Sequence, residues 1–486
     1  MNSFESNQHV NPNSPSITPH PIKSKFNFFA FYTLPLLLLI LAVTLGFTRT
    51  NYYKVHYLRH SLTSQTLIQA IGSLFSPPKS VFVPSQCVLW MAPFLSGGGY
   101  SSEAWSYVLS LHSHTKMHSF RLAIEHHGDQ ESLEFWEGLP QEMKNLAYEL
   151  YRTECRMNET IVVCHSEPGA WYPPLFQTFP CPPSPFYRDF KSVIGRTMFE
   201  TDRVNGEHVE RCNKMDYVWV PTDFHKSTFV GSGVDPSKVV KIVQPIDVTF
   251  FDPAKYKPLD LASRGQCILG SSSTKKNFVF LSIFKWEYRK GWDVLLKAYL
   301  KEFSKDDNVA LFLLTNPYHT DRDFGNKIMD FVESSDLGEP VGGFAPVYVI
   351  NSHIAQSELP KVYKAADAFV LPSRGEGWGR PLVEAMAMSL PVIATNWSGP
   401  TEYLTDDNSY PLPVDGMSEV MEGPFMGHLW AEPCVDELQN LMRRVMDHRN
   451  AATAKGRKAR EDMIRRFSPE IVADIVTEQI ENILRQ

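Results

Sequence analysis

Between residues 367 and 404 the chain reads DAFVLPSRGEGWGRPLVEAMAMSLPVIATNWSGPTEYL. The apolar run ending at Leu371 predicts a strand, and a helical pattern begins near Arg380. Glu376 then lies in a glycine-rich loop between the two, and Glu384 lies one to two turns into the helix. A helix N-terminus presents unpaired backbone N–H groups, and Gly375, Gly377 and Gly379 let a ligand come close to the backbone. Such a loop can hold an anion or a ring of sugar hydroxyls, with Glu376 at its mouth and Glu384 offering paired acceptor oxygens to a diol such as a ribose. Taken alone, either carboxylate is more simply a solvated surface residue. A second constellation is FKWEYRKGWDVLL, residues 284–296, where Lys285, Arg289 and Lys290 stand between a strand and a helix. Cations beside a helix N-terminus suit a diphosphate whose charge grows as it leaves, although a basic loop by itself is usually a solvated turn.

Smaller signals lie nearer the amino terminus. Ser96-Gly97-Gly98-Gly99-Tyr100 follows a predicted strand and reads either as a turn or as a flexible phosphate-facing loop. His165 ends the strand TIVVC and precedes Ser166-Glu167-Pro168-Gly169, and His126-His127-Gly128-Asp129 ends another strand on a side where an acceptor could enter. These loops need a scaffold. Apolar runs at 87–93, 121–125, 160–164, 193–198, 216–220 and 239–243 alternate with amphipathic stretches, as do runs at 278–284, 309–314, 346–350, 367–371 and 391–395. That rhythm predicts two doubly wound α/β domains in tandem, with ligands bound beyond the carboxyl ends of the strands. The boundaries are 81–251 for a first Rossmann-like, acceptor-side domain, 252–277 for a linker rich in Pro and polar residues, and 278–466 for a second, donor-side domain. A closing helix is expected over 467–486, started by Ser468 as a cap and Pro469 at its first position.

Glu376 and Glu384 are separated by seven residues, and in this setting they resemble the E-x7-E motif of the group-one retaining glycosyltransferases, which have the GT-B fold. The likeness extends to Pro372-Ser373, to the PVIAT strand, to Gly399-Pro400-Thr401-Glu402, and to Pro245, Asp247, Phe251 and Pro253 in the exit from the first domain. It covers nearly all of residues 85–486, most strongly from 214 onward. The resemblance implies two facing Rossmann-like domains and retaining transfer of a hexose-type sugar from a nucleotide-sugar donor to a glycan, lipid or protein-linked acceptor. It implies that Glu376, His165 and Lys290 carry the catalysis, with Glu376 and His165 beside the transferred sugar. Glu384 would grip the ribose, and Gly377, Trp378, Gly379, Arg380 and Pro381 would supply backbone contacts. Lys285 and Lys290 would hold the diphosphate, with Lys where the family has Arg at the first position, and Gly98 and Gly99 would face the donor phosphates. No Asp-x-Asp pair stands in a clear metal-binding loop, so neither metal nor cofactor is expected. The alternative is an inactive, membrane-anchored protein of the same fold that binds a glycan or nucleotide sugar; sugar-phosphate phosphorolysis is a third reading.

The 486 residues are 43% hydrophobic and 21% charged, enough apolar material for two large cores. A formal net charge of −7 argues against a nucleic-acid partner. Residues 1–27 read as a disordered cytosolic tail, and the twenty uncharged residues 28–47 as a transmembrane signal anchor. Residues 48–80 read as a stem. An anchor and stem of this kind, in the family resembled, imply a single-pass Golgi membrane protein with its catalytic part in the lumen, the endoplasmic reticulum membrane being the alternative. The flanking charges do not choose an orientation, and seven irregularly spaced cysteines allow one or two disulfides without defining them.

Overall fold

The computed structural model describes residues 86–114, 120–271, 278–317, 323–335 and 337–486. The expected tail, anchor and stem lie outside the described residues. The first domain is a six-stranded parallel sheet of β1 (Cys87–Ala92), β2 (Arg121–His126), β3 (Thr160–His165), β4 (Ser192–Arg196), β5 (Tyr217–Val220) and β6 (Val239–Lys241), in the order β2-β1-β3-β4-β5-β6. Among the described residues, five α-helices run between these strands: α1 (Gly99–His114), α2 (Leu133–Gly138), α3 (Gln141–Tyr151), α4 (Gly206–Lys214) and α5 (Asp223–Gly231). β3 is buried along its whole length, as a central strand covered on both faces must be, which is why its sequence is a continuous apolar run instead of an alternation. Disulfides join Cys87 to Cys155 and Cys164 to Cys181. The second of these ties the long loop after β3 to the strand that launches it.

The second domain holds a seven-stranded sheet. Its members are β7 (Gln266–Leu269), β8 (Phe278–Trp286), β9 (Val309–Pro317), β10 (Val347–Ile350), β11 (Ala368–Leu371), β12 (Val392–Thr395) and β13 (Tyr410–Leu412), in the order β13-β12-β11-β8-β9-β10-β7. All pairs are parallel except β7 against β10. Between the strands run α6 (Trp292–Glu302), α7 (Phe324–Ser334), α8 (Leu359–Lys364) and α9 (Arg380–Ala387). The expected linker is therefore not wholly a linker: Gln266–Leu269 completes an edge of the second sheet. This order puts β8 and β11 side by side, so the loops that leave their carboxyl ends meet even though they are far apart in sequence.

Two features join the domains. An antiparallel hairpin of β14 (Val414–Glu419) and β15 (Leu429–Pro433) leaves the second domain and engages residues 199–208 of the first. There Asp202 N donates to Leu429 O at 2.9 Å, Leu429 N donates to Asp202 Oδ1 at 2.7 Å, and Phe425 packs edge-on against Phe199 at 5.3 Å. After α10 (Val435–Asp447) and α11 (Arg449–Phe467), the chain returns to the first domain as α12 (Pro469–Arg485). Val472, Val476 and Ile480 of α12 share a core with Tyr107, Val108 and Leu111 of α1. Pro469 stands at the start of α12 as expected, but the Ser468 hydroxyl makes no capping bond.

Candidate active site

The loops after β8 and β11 converge on one carboxylate. Lys290 Nζ donates to both oxygens of Glu376, at 2.7 and 2.9 Å. Arg289 NH1 lies 3.8 Å from Glu376 and 3.7 Å from Glu200 of the first domain, and it donates to the Gly375 carbonyl at 2.6 Å. Burial would push the Glu376 carboxyl up, but Lys290 and Arg289 outweigh it and hold the group below its ordinary value. For Arg289 burial works against the charge, yet Glu200, Glu376 and Glu287 together raise its pKa. Glu376 is thus a carboxylate at neutral pH beside two cations.

The loop is held from behind. Arg374, almost fully buried, forms two bonds to Asp293 and one to Glu432, and it donates to the Tyr288 carbonyl and hydroxyl while its guanidinium lies 3.7 Å from the Tyr288 ring centroid. Gly375 must be glycine, because a Cβ there would overlap the Glu200 carbonyl. Gly379, at φ 87°, adopts the left-handed conformation that starts α9. Trp378 turns its ring into the core against Tyr403 and Phe467, and its carbonyl accepts from the Tyr403 hydroxyl. Gly377 packs on Met198 of the first domain, and Pro381 occupies the first turn of α9.

Glu384 accepts a hydrogen bond from the Tyr363 hydroxyl at 2.8 Å and lies 4.0 Å from Arg380. Burial raises its pKa, opposed by Arg380 and Tyr363. Arg380 also reaches Ser106 of α1, at 3.5 Å. Lys285 is exposed and is not among the partners of Glu376; its charge acts on Asp129 of the first domain, whose carboxyl is raised by burial, with Ser96, Glu167 and Lys285 contributing less. The glycine-rich loop sits on the same Asp129. Ser96 Oγ lies 3.5 Å from its carboxylate, Gly98 N donates to Ser96 Oγ, and Gly99 opens α1.

His165 is placed differently from the expectation that it touches the donor sugar. It is fully buried; its Nδ1 accepts from Trp90 Nε1 at 3.0 Å, and its Nε2 lies 3.1 Å from Glu103 Oε2. Glu103 also accepts twice from Arg196, at 2.9 and 2.6 Å. The β3–β4 register sets His165 opposite Arg196, and rings of Trp90, Tyr100 and Tyr107 enclose the imidazole. With Nδ1 accepting from Trp90 and Nε2 set against Glu103, the buried His165 supports the strand end. His126 and His127 are also committed inward, the first to Leu95 N and the Asp129 carbonyl, the second to Phe179 O and Ser166 Oγ. Arg374 is the residue whose role sequence reading misses, although it lies within the loop that carries Glu376; Arg289 was named with Lys285 and Lys290 in the basic loop, but not for its place beside Glu376.

A sheet pair with two Rossmann-like halves and its ligand loops on facing strand ends is the GT-B architecture. Residues 275–421 match the family described as Glycosyl transferases group 1, and this part of the chain is similar to the group-one glycosyltransferases. A D-inositol 3-phosphate glycosyltransferase of Kineococcus radiotolerans is 29% identical over 181 residues, 36% of this chain and 38% of the relative. A mannosylfructose-phosphate synthase of Agrobacterium fabrum is 28% identical over 124 residues, 25% of this chain and 26% of the relative. The matches thus span well under half of those relatives. In fold, the chain is similar to a glycosyltransferase of Rickettsia africae (TM-score 0.56, 16% identity, 82% of this chain and 99% of that one). It is similar also to Anabaena HepE, solved with UDP-glucose (TM-score 0.55, 13% identity, 82% and 99%). These findings correct one expectation. Placement in a Golgi membrane, or in that of the endoplasmic reticulum, is withdrawn, because the relatives come mostly from bacteria and among the described residues no helix is long and apolar enough to cross a membrane.

Proposed function

We propose that this chain moves a hexose-type sugar, with retention of configuration, from a nucleotide-sugar donor to a glycan, lipid or protein-linked acceptor, without a metal. The observation that carries the reading is the Lys290–Glu376 pair, bonded through both carboxylate oxygens where two adjacent strands end and a helix begins. In this reading Lys290, Arg289 and Lys285 meet the donor diphosphate, while Glu384 takes the ribose diol. Gly98 and Gly99 approach the phosphates from the first domain. The bond from the sugar's anomeric carbon to the diphosphate breaks, and negative charge builds on the leaving phosphate, where fixed cations stabilise it most. The acceptor oxygen bonds to the same face of that carbon, and its proton passes to the departing phosphate oxygen. Glu376 orients the sugar and Lys290 without forming a covalent bond, and the facing domains exclude water that would otherwise hydrolyse the donor. The twenty uncharged residues 28–47 support an anchor on their sequence alone.

The test is hydrolysis and transfer with a panel of nucleotide sugars, using the full chain and its Glu376→Ala and Lys290→Ala variants. One donor turned over by the parent and lost in both variants supports the transferase. Tight binding without turnover by the parent would leave a binding protein in its place, and no binding at all would remove the site.

A further inference from the structure

We infer that the acceptor side of this site takes an uncharged sugar or polyol and rejects phosphorylated acceptors, an inference that rests on the transferase reading above. The loops that leave the carboxyl ends of β1, β2 and the first half of the connection after β3 are residues 93–98, 127–132 and 166–183. Together they contain Asp129, Glu131 and Glu167 and neither a lysine nor an arginine. Of the histidines beside them, His126 and His127 supply no charge at neutral pH, and His208 is engaged with Glu167, its Nε2 3.3 Å from Oε1. Burial lowers His126, and it takes His127 down to about 4. Arg211, which supports the β3 loop from behind, spends its guanidinium on the carbonyls of Pro173 and Glu207, and Arg196 is spent on Glu103 and the Ile242 carbonyl. Lys285, whose charge acts on Asp129, comes from the donor side.

What this floor offers instead suits hydroxyl groups and a ring face. Burial raises the Asp129 carboxyl, and the Glu167 charge adds to that; carboxylates are strong acceptors for donated hydroxyls. Beside Glu167 stands a half-exposed aromatic ring. A Cβ on Gly169 would lie 3.3 Å from both Glu167 Oε1 and Phe176 Cε1, and Leu175 and Phe176 are 43% and 46% exposed. A sugar presents an apolar C–H face to such a ring and its hydroxyls to the rim. The Cys164–Cys181 disulfide and the bond from Leu175 N to Gly169 O hold this platform in place. A phosphate dianion here would meet Asp129 and Glu167, and these three loops carry no lysine or arginine to pair it. Among the described residues no group of His, Cys, Asp and Glu is placed to hold a metal that would reverse that sign.

The experiment supplies the full chain with the nucleotide sugar it turns over and offers matched pairs: glucose and glucose 6-phosphate, fructose and fructose 6-phosphate, myo-inositol and inositol 3-phosphate. At least one neutral compound should be glycosylated, with kcat/KM at least ten-fold above that of its ester. Glu167→Lys should shift that ratio at least ten-fold toward the ester. Should Glu167→Lys fail to fold, Glu167→Gln, which keeps size and hydrogen bonding, should raise the KM for the neutral acceptor at least three-fold. An ester equal to or better than its parent, donor hydrolysis with no neutral compound accepted, or an unmoved ratio or KM in the variants would overturn the inference and leave the transferase standing. Absence of turnover of every nucleotide sugar by the parent chain would overturn the transferase itself.

Discussion

Each domain places one carboxylate between two cationic or cation-capable side chains, and the two arrangements serve different ends. In the first domain Glu103 lies between Arg196 and His165, all three at 1% exposure or less. Every direction around the group is closed by Trp90, Tyr107 and the Ile242 carbonyl. In the second domain Glu376 lies between Lys290 and Arg289, whose side chains keep 14% and 19% of their surface. Lys290 has a further donor hydrogen to give, and the helix N-terminus beside it is uncapped by any side chain. The same ingredients make a strut where the shell is complete and a site where one side stays open. Charge type alone does not separate the two; the residual exposure of the cations does.

The largest expected effect breaks the strut. Glu103→Ala leaves the Arg196 guanidinium buried without its partner, a change that costs roughly 3–5 kcal/mol, seen as a lower midpoint in urea unfolding. Its pH dependence follows from the same group. Burial would raise the Glu103 pKa, but Arg196 and His165 outweigh it and bring the value from 4.5 down to about 2. A carboxyl lowered on folding contributes stability that is complete above its unfolded value and lost as pH falls through the folded one. Unfolding free energy should therefore fall between pH 4.5 and 2, and Glu103→Ala should flatten that part of the curve.

Breaking the site should do the reverse. Glu376→Gln removes the charge that holds Lys290 but keeps the shape, so donor turnover should fall roughly 100-fold. The Gln amide oxygen still accepts from Lys290, whose side chain keeps 14% of its surface, so the unfolding midpoint should move less than in Glu103→Ala. A midpoint loss as large as that of Glu103→Ala would erase the distinction between strut and site. A smaller effect tests what holds the halves together. Phe425→Ala removes the ring contacts with Phe199 and His208, worth about 1 kcal/mol, and should speed amide exchange across residues 414–433 more than elsewhere.

The difference in legibility between the two regions has a physical origin. The second-domain site is written in two short loops: Lys290 and Glu376 each follow an apolar run and precede a helix, so local pattern suffices to place them beside one another once β8 and β11 are neighbours. The strands were readable for the same reason, since runs such as TIVVC and VALFLL need only local apolarity. The Glu103–His165–Arg196 group is assembled from a helix and two strands, and nothing local marks it except a charged residue closing the buried run SVIGR. His165 was correctly found at a strand end, but which way a ring nitrogen points depends on Trp90 and Glu103. Strand β7 escaped notice because QCIL is short and sits among Pro, Gly and Ser, its partner β10 being about eighty residues away. The hairpin strand VDGMSE lacks any alternation, because it is held by its partner and by Asp202 rather than by an apolar face.

The smallest expected effect sharpens the comparison at His165. If this residue met the donor, its titration near 6.5 would shape the pH dependence of turnover, as a histidine of ordinary pKa does. Here burial lowers its pKa below the ordinary 6.5, with the pull of Glu103 not enough to reverse the shift, so the ring is neutral at pH 7 and above. The profile of kcat/KM against pH should then show no limb assignable to His165. His165→Asn, which keeps a donor and an acceptor for Glu103 and Trp90, should lower the unfolding midpoint and scale activity down without changing the profile's shape. A limb near 6.5 in the parent that vanishes in His165→Asn would return the imidazole to the reacting atoms and make the first-domain group a site like the second.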